Sequence, residues 1–266
     1  MMAHLYRLRT AGFTILQGAL SRERTSALAD AIDQLAAKDD ALWGAATLQA
    51  MGQRGALRNL CDEDQVFAEL LADSPIYPLI DELMAGSYVL HSYDGLILFP
   101  GEARFPWDFH IDLTSLGSVA FPARATPGIN CLYYLDDVTA ANGATCLVPA
   151  SHHSLVKNPP FEELGQLAVP LVGSAGDAVL FDARIWHCAG NNSTEKSRRV
   201  IKAFFVAPWI RPQMDYSRAV RPEVQSRLDD RTRRLLGVGS TPPTTVRELR
   251  EGLAPRAQPL ASKPLS

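Results

Sequence analysis

The sequence predicts a mainly β fold, a jelly roll with helices flanking it. Three observations carry that expectation: between about residues 87 and 210 the chain is a succession of short β-type runs broken by Gly, Pro and Asn, helical patterns precede this stretch, and a helical pattern follows it. Strands grouped in this way, instead of alternating with helices, indicate a sandwich or barrel and not a parallel α/β sheet.

Each element follows from a local pattern. Phe13 to Leu16 is a short β-rich piece followed by Gly18. Ser21 is placed as an N-cap, and Leu28, Ile32 and Leu35 recur at helical spacing through SRERTSALADAIDQLAAK. A second helix is expected in DEDQVFAELLADS, with Val66, Leu70 and Leu71 on one side, and a third in PIYPLIDELMAG, closed by Gly86. The β-type runs are SYVLHSYDGLILF, GINCLYYLDDV, CLVPAS, AVPLV, AVLFDARIWHC and RRVIKAFFVAPW. RPEVQSRLDDRTRRLLG returns to a helical pattern and stops at Gly237, while the Pro- and Ser-containing end, APRAQPLASKPLS, reads as a mobile tail. The organisation expected is one domain over residues 1–253, with a helix-rich part over about 1–86, a jelly-roll core over about 87–210 and a helical part over about 211–253, then the tail 254–266. There is no internal repeat.

Composition narrows the function classes. A chain of 266 residues buries a full core without disulfides, and 47% hydrophobic with 21% charged residues is ordinary for a globular protein. The formal net charge is -3 and no Lys/Arg block occurs, so the electrostatic footprint of a nucleic-acid binder is missing and a small-molecule partner is expected. No apolar run approaches the roughly 18 to 20 residues that cross a bilayer, and MMAHLYRLRTAGF lacks a long apolar segment. The expectation is a cytoplasmic protein without a membrane partner, monomeric or homodimeric. Cys61, Cys131, Cys146 and Cys188 show no CxxC spacing and read as reduced, mostly buried thiols, with Cys188 singled out because it follows His187.

Among six histidines, His110 stands in an H-x-D pair with Asp112 within PWDFHIDLTS. On an extended segment residues two apart project to one face, so both can reach one ion, although such a pair is common by chance. His187, 77 residues later, ends the strand pattern AVLFDARIWH and is followed by a Gly-Asn-Asn turn and a strand beginning at Ser197-Arg198-Arg199. Two neutral imidazoles and one carboxylate on one side of a metal leave the other positions open, which suits Fe(II) that must also bind a cosubstrate and O2. A closed structural zinc site would want a fourth ligand.

The opening GFTILQGALSRERTSALADAI, then HID, YLDDVTAANGATCLVPASHH and WHCAGNNSTEKSRR, resemble in order and spacing the phytanoyl-CoA dioxygenase family over most of the chain. The resemblance implies a double-stranded β-helix in which His110, Asp112 and His187 bind Fe(II). It further implies that 2-oxoglutarate chelates the iron through its 1-carboxylate and 2-keto oxygen while its far carboxylate meets an Arg, whose planar donor fork matches a carboxylate. In the family that Arg follows the distal His by eleven positions, which selects Arg198. Arg199 stays open as the alternative, because some members carry a one-residue longer turn. Thr145 matches a hydroxyl that helps bind the cosubstrate, and is equally a strand Thr after a Gly turn. Arg58 resembles a basic position facing the cosubstrate or substrate, with a surface or structural role the stronger reading.

The remaining polar and aromatic residues receive structural readings. His152 and His153, in PASHH with Ala150 where the family usually has Gly, order a loop; His91 is a core or rim histidine, and His4 sits near a terminus. Trp107 and Trp186 flank the ligand histidines as core or pocket wall. Asp136-Asp137 reads as a turn and Asp229-Asp230 as a solvated helix face. The expected activity is hydroxylation of a C–H bond in a small metabolite or natural-product intermediate, with release of succinate and CO2. Retention of Asp112 disfavours halogenation. The alternatives are desaturation, epimerisation or cyclisation by the same iron enzyme, or a non-catalytic jelly-roll binding or sensor protein, which would have no need of the three ligands and the Arg together.

Overall fold

The computed structural model describes residues 1–103, 105, 108–112, 126–154, 159–239 and 243–253, the last two without their side chains. Trp107 and the expected tail 254–266 lie outside the described residues. In chain order the described strands are β1 (Phe13–Leu16), β2 (Ala56–Leu57), β3 (Val89–Leu98), β4 (Gly128–Tyr134), β5 (Cys146–Leu147), β6 (Val169–Pro170), β7 (Ala178–Asp182), β8 (His187–Cys188) and β9 (Arg198–Val206). They form two antiparallel sheets, a large one ordered β1-β7-β4-β9-β3-β2 and a small one ordered β6-β5-β8. This is the jelly-roll, double-stranded β-helix arrangement.

Register decides which side chains face the site. Opposite β9, Asp94 pairs with Lys202, Leu96 with Val200 and Leu98 with Arg198, while β4 sets Leu132 against Lys202 and Asn130 against Phe204. Strand alternation therefore gathers Asp94, Asn130, Leu132, Val200 and Lys202 on one face. That face is closed by an apolar cluster that includes Leu132, Tyr134, Leu147, Val179, Phe181, Ile185 and Val200. Alternate residues Tyr93, Ile97, Cys131, Tyr133, Ile201, Ala203 and Phe205 pack on the other side against helical residues such as Leu28, Ile32, Phe67, Leu70 and Ile80.

The helices are α1 (Met2–Thr10), α2 (Arg22–Trp43), α3 (Ala45–Ala50), α4 (Gln65–Ala72), α5 (Tyr77–Leu83), α6 (Phe161–Leu167), α7 (Tyr216–Ala219), α8 (Pro222–Gln225), α9 (Asp230–Leu235) and α10 (Val246–Leu253). Ser21 caps α2 by accepting from Arg24 N at 3.2 Å, and Asp64 caps α4 by accepting from Val66 N at 3.0 Å. Helix α2 runs on past Lys38 because nothing breaks it before Gly44, whose φ is 82°. Helix α1 escapes the sequence pattern: only Leu5 and Leu8 are buried and no side chain caps it, so tertiary packing holds it. The pattern over 221–237 resolves into two short helices, α8 and α9, because the Asp229 carboxylate accepts from Thr232 N at 2.8 Å and starts a new helix there.

Candidate metal centre

His110 and His187 lie on neighbouring antiparallel segments and exchange backbone hydrogen bonds, His110 N to His187 O at 2.9 Å and His187 N to His110 O at 3.0 Å. Asp112 is anchored by its own N–H to Ala183 O at 3.1 Å. Both imidazoles use Nδ1 on a backbone carbonyl, His110 with Asp108 O at 2.9 Å and His187 with Ile185 O at 3.0 Å. A proton on each Nδ1 leaves the Nε2 lone pair free, the tautomer a metal ligand needs. Those Nε2 atoms lie 3.4 Å (His187) and 4.0 Å (His110) from the Asp112 oxygens, and the three donor atoms are all within 4.8 Å of one another. His187 is 8% exposed in its side chain and His110 46%, so the cluster is closed on one side and reaches solvent on the other.

Electrostatics hold the donors in their binding forms. Burial, only partly offset by Asp112, lowers His187 to about 4, so its imidazole is neutral at pH 7. For Asp112 burial works upward, but Lys202, His187, His110 and the Asn130 amide together outweigh it and bring the carboxyl down to about 2. Two nitrogens and an ionised carboxylate on one side suit a divalent ion with free positions for other ligands.

Two partners of Asp112 were not assigned a role from sequence. Asn130 Nδ2 donates to Oδ2 at 2.6 Å, and Lys202 Nζ lies 3.4 Å from Oδ1. Their sequence signal is a polar residue inside an apolar strand, in GINCLYY and RRVIKAFFV, and the same holds for Asp94 in SYDGLIL. Asn130 is fully buried, and its Oδ1 has no hydrogen-bond partner among the described residues.

The two candidate arginines sit in opposite environments. Arg198 faces inward, is 5% exposed, donates through Nη2 to Gly143 O at 2.6 Å and leaves Nε buried without a partner among the described residues. No described carboxylate pairs with it. Arg199 faces the helices and is occupied by Asp136 (2.6 Å) and Asp33 (2.6 Å). Thr145 follows Ala144 and shares the alternation of Leu147, the cross-strand partner of His187; its carbonyl accepts from Leu171 N at 2.8 Å. Arg58 pairs with the buried Asp94 at 3.0 Å and donates to Gln53 Oε1, a structural engagement.

The other singled-out residues are placed as follows. Ala150 has φ 62°, the left-handed conformation that explains Gly at this place in the family, and Ser151–His153 form a single 3-10 turn after it. His153 bonds to Arg9 O at 3.0 Å and Ser151 Oγ accepts from Trp186 N, so the loop ties α1 to β8; His152 is buried in it. Trp186 packs with Phe109, Val148, Leu164 and Cys188. His91 stacks on Phe204 at 4.7 Å, and His4 Nδ1 meets Thr14 Oγ1 at 2.9 Å. Asp136 holds Arg199, Asp137 accepts from Ala175 N, and Asp229 caps α9 with Asp230 in its first turn. All four cysteines are free; burial pushes Cys188 up to about 12, an inert thiol. No described helix is long and apolar enough to cross a membrane.

A family model described as phytanoyl-CoA dioxygenase matches residues 8–200 of this chain. An uncharacterized protein of Mycobacterium tuberculosis (strain ATCC 25618 / H37Rv) is 29% identical over 237 residues, covering 86% of this chain and 84% of its own length. The dioxygenase af480 of Aspergillus fumigatus is 27% identical over 178 residues, or 66% of this chain and 56% of that protein. Among solved structures, HygX from Streptomyces hygroscopicus with nickel and 2-oxoglutarate bound shares the fold with a TM-score of 0.61 at 16% identity, over 79% of this chain and 88% of that one. AviO1 from Streptomyces viridochromogenes Tue57 does so with a TM-score of 0.61 at 23% identity, over 79% of this chain and 96% of that one.

Proposed function

Because the chain belongs to the phytanoyl-CoA dioxygenase family, we propose that it is an Fe(II)- and 2-oxoglutarate-dependent dioxygenase whose metal is held by His110, Asp112 and His187. The observation that carries this reading is the convergence of three metal donors beside the sheet face that also bears Arg198, a buried guanidinium with no described carboxylate partner. Bound iron, 2-oxoglutarate and O2 supply an oxidative decarboxylation to succinate and CO2 together with the oxidising power for attack on a C–H bond.

The residues of the chain divide the remaining work. Backbone carbonyls of Asp108 and Ile185 set the ring orientation of the two histidines, and Asn130 fixes the Asp112 carboxylate. Arg198 receives the far carboxylate of 2-oxoglutarate, presenting its free Nε and the remaining guanidinium edge, with Thr145 nearby as a further hydroxyl for the cosubstrate. Leu147, Phe181, Ile185 and Val200 pack as a buried apolar cluster on the same side of the sheet as the donors and keep bulk water from that side. The reaction proposed is hydroxylation of a small metabolite or natural-product intermediate. Asp112 supports oxygen transfer over halogenation, since its carboxylate takes the position a halide would need.

The test is succinate formation by the purified chain with Fe(II), 2-oxoglutarate and ascorbate, in the absence of a prime substrate. Slow iron-dependent turnover is expected, abolished in His110→Ala and Asp112→Ala, each of which still folds and melts cooperatively. A folded protein that shows neither iron-dependent succinate nor iron-dependent 2-oxoglutarate binding overturns the reading.

A further inference from the structure

We propose that Lys202 is the charge-setting positioning residue of the metal centre: it opposes binding of a divalent ion alone and favours binding of an anionic cosubstrate to the metal-loaded site. The proposal rests on the metal reading above and adds to it a residue outside the three ligands and the arginine.

Lys202 projects from the inner face of β9, its side chain 22% exposed, with Nζ 3.4 Å from Asp112 Oδ1 and 5.4 Å from the centre of the Phe204 ring. Its cross-strand neighbour Asp94 is already paired with Arg58 at 3.0 Å. Asp112 is therefore the carboxylate left to balance the ammonium among the described residues. Asn130 holds the other Asp112 oxygen at 2.6 Å as a neutral donor, so the two neighbours of this carboxylate act differently. Asn130 orients it without adding charge, whereas Lys202 competes for it.

A divalent ion held by Asp112 would compete with the ammonium for the same carboxylate and repel it across a poorly screened gap. The ion then spends the charge of Asp112, and a half-buried ammonium is left beside a cationic centre, with the Arg198 guanidinium further along the same strand face. That excess of positive charge is what a dianion relieves. Lys202 thus lowers affinity in the first binding step and raises it in the second, an ordering bias that makes metal retention depend on cosubstrate.

Calorimetry separates the two steps without turnover. Co(II) is titrated into the full chain after chelator treatment, and 2-oxoglutarate is then titrated into the Co(II)-loaded protein, for the wild type, Lys202→Met and Lys202→Arg. For Lys202→Met the Kd for Co(II) is expected to fall and the Kd for 2-oxoglutarate to rise, each by about tenfold, the scale on which groups around metal ligands act. Lys202→Arg returns both towards the wild-type values. Lys202→Gln repeats the measurement should the methionine variant melt early. General loss of packing weakens both steps, so a neutral variant that weakens both, or changes neither, overturns the assignment while leaving the ligand set intact. Failure of the wild-type chain to bind Co(II), or to bind 2-oxoglutarate once loaded, sinks the metal reading and this proposal with it.

Discussion

At Arg198 the guanidinium donates to Gly143 O and leaves Nε in the interior without a partner among the described residues, while one position later Arg199 spends its donors on Asp136 and Asp33. A charge-assisted hydrogen bond contributes about 1.5–3 kcal/mol, so Arg198→Ala is expected to raise the apparent 2-oxoglutarate requirement by roughly 10- to 100-fold. Arg199→Ala should leave that requirement unchanged and cost at most about 1 kcal/mol of stability, because its partners are partly solvated. A cosubstrate titration of both variants, with urea melts alongside, checks the pair of expectations. Asp112 yields a pH prediction. Its folded-state value of about 2 lies below the ordinary 3.8, so the ionised carboxylate contributes stability that is present above about pH 4 and lost as the pH falls towards 2. In chelator, the stability gap between the wild type and Asp112→Asn should therefore narrow below about pH 4. A gap that stays constant down to the acid transition would contradict it.

Among the elements, the turn that feeds β5 couples architecture to the site. Thr139 N donates to Asn142 Oδ1 at 2.8 Å, Asn142 N donates back to Thr139 Oγ1 at 3.2 Å, and Gly143 follows with φ 89°. A side chain at Gly143 would be strained by that φ and would press on Leu98, the cross-strand partner of Arg198. Gly143→Ala is expected to cost about 1–3 kcal/mol and to weaken 2-oxoglutarate binding along with it, because the displaced carbonyl is the acceptor that positions Arg198. Equilibrium unfolding and cosubstrate titration on one preparation test the coupling; a stability loss with unchanged binding would break it. The long strands β3, β4, β7 and β9 were legible in the sequence because buried strands leave continuous apolar runs bounded by turn residues. The runs CLVPAS and AVPLV contain β5 and β6, and AVLFDARIWHC divides into β7 and β8 in different sheets; β5, β6 and β8 pair over two residues each, so their extent and order are set by the sheet they join.

For the whole molecule, the large sheet separates two packing layers, with α2 resting on the outer one. Ile32 is fully buried there and lies where a side chain at Gly95 would fall, so helix and strand are in close contact. Ile32→Ala should cost about 2–5 kcal/mol while leaving metal affinity per folded molecule unchanged, since the donor cluster is on the opposite face. Chemical denaturation and Co(II) titration measure the two quantities separately.

By itself the sequence determined the class of fold, the H-x-D pair with its distal histidine, and an arginine in one of two adjacent positions, because these depend on local periodicity and on short motifs whose spacing survives in the linear chain. Only the tertiary structure decided that Arg199 is engaged by Asp33 and Asp136, that Arg58 pairs with Asp94, and that Asn130 and Lys202 meet at Asp112. Those residues come from segments far apart in the chain. A one-residue shift of register would turn Lys202 away from Asp112, and register is settled by the packing of both faces at once.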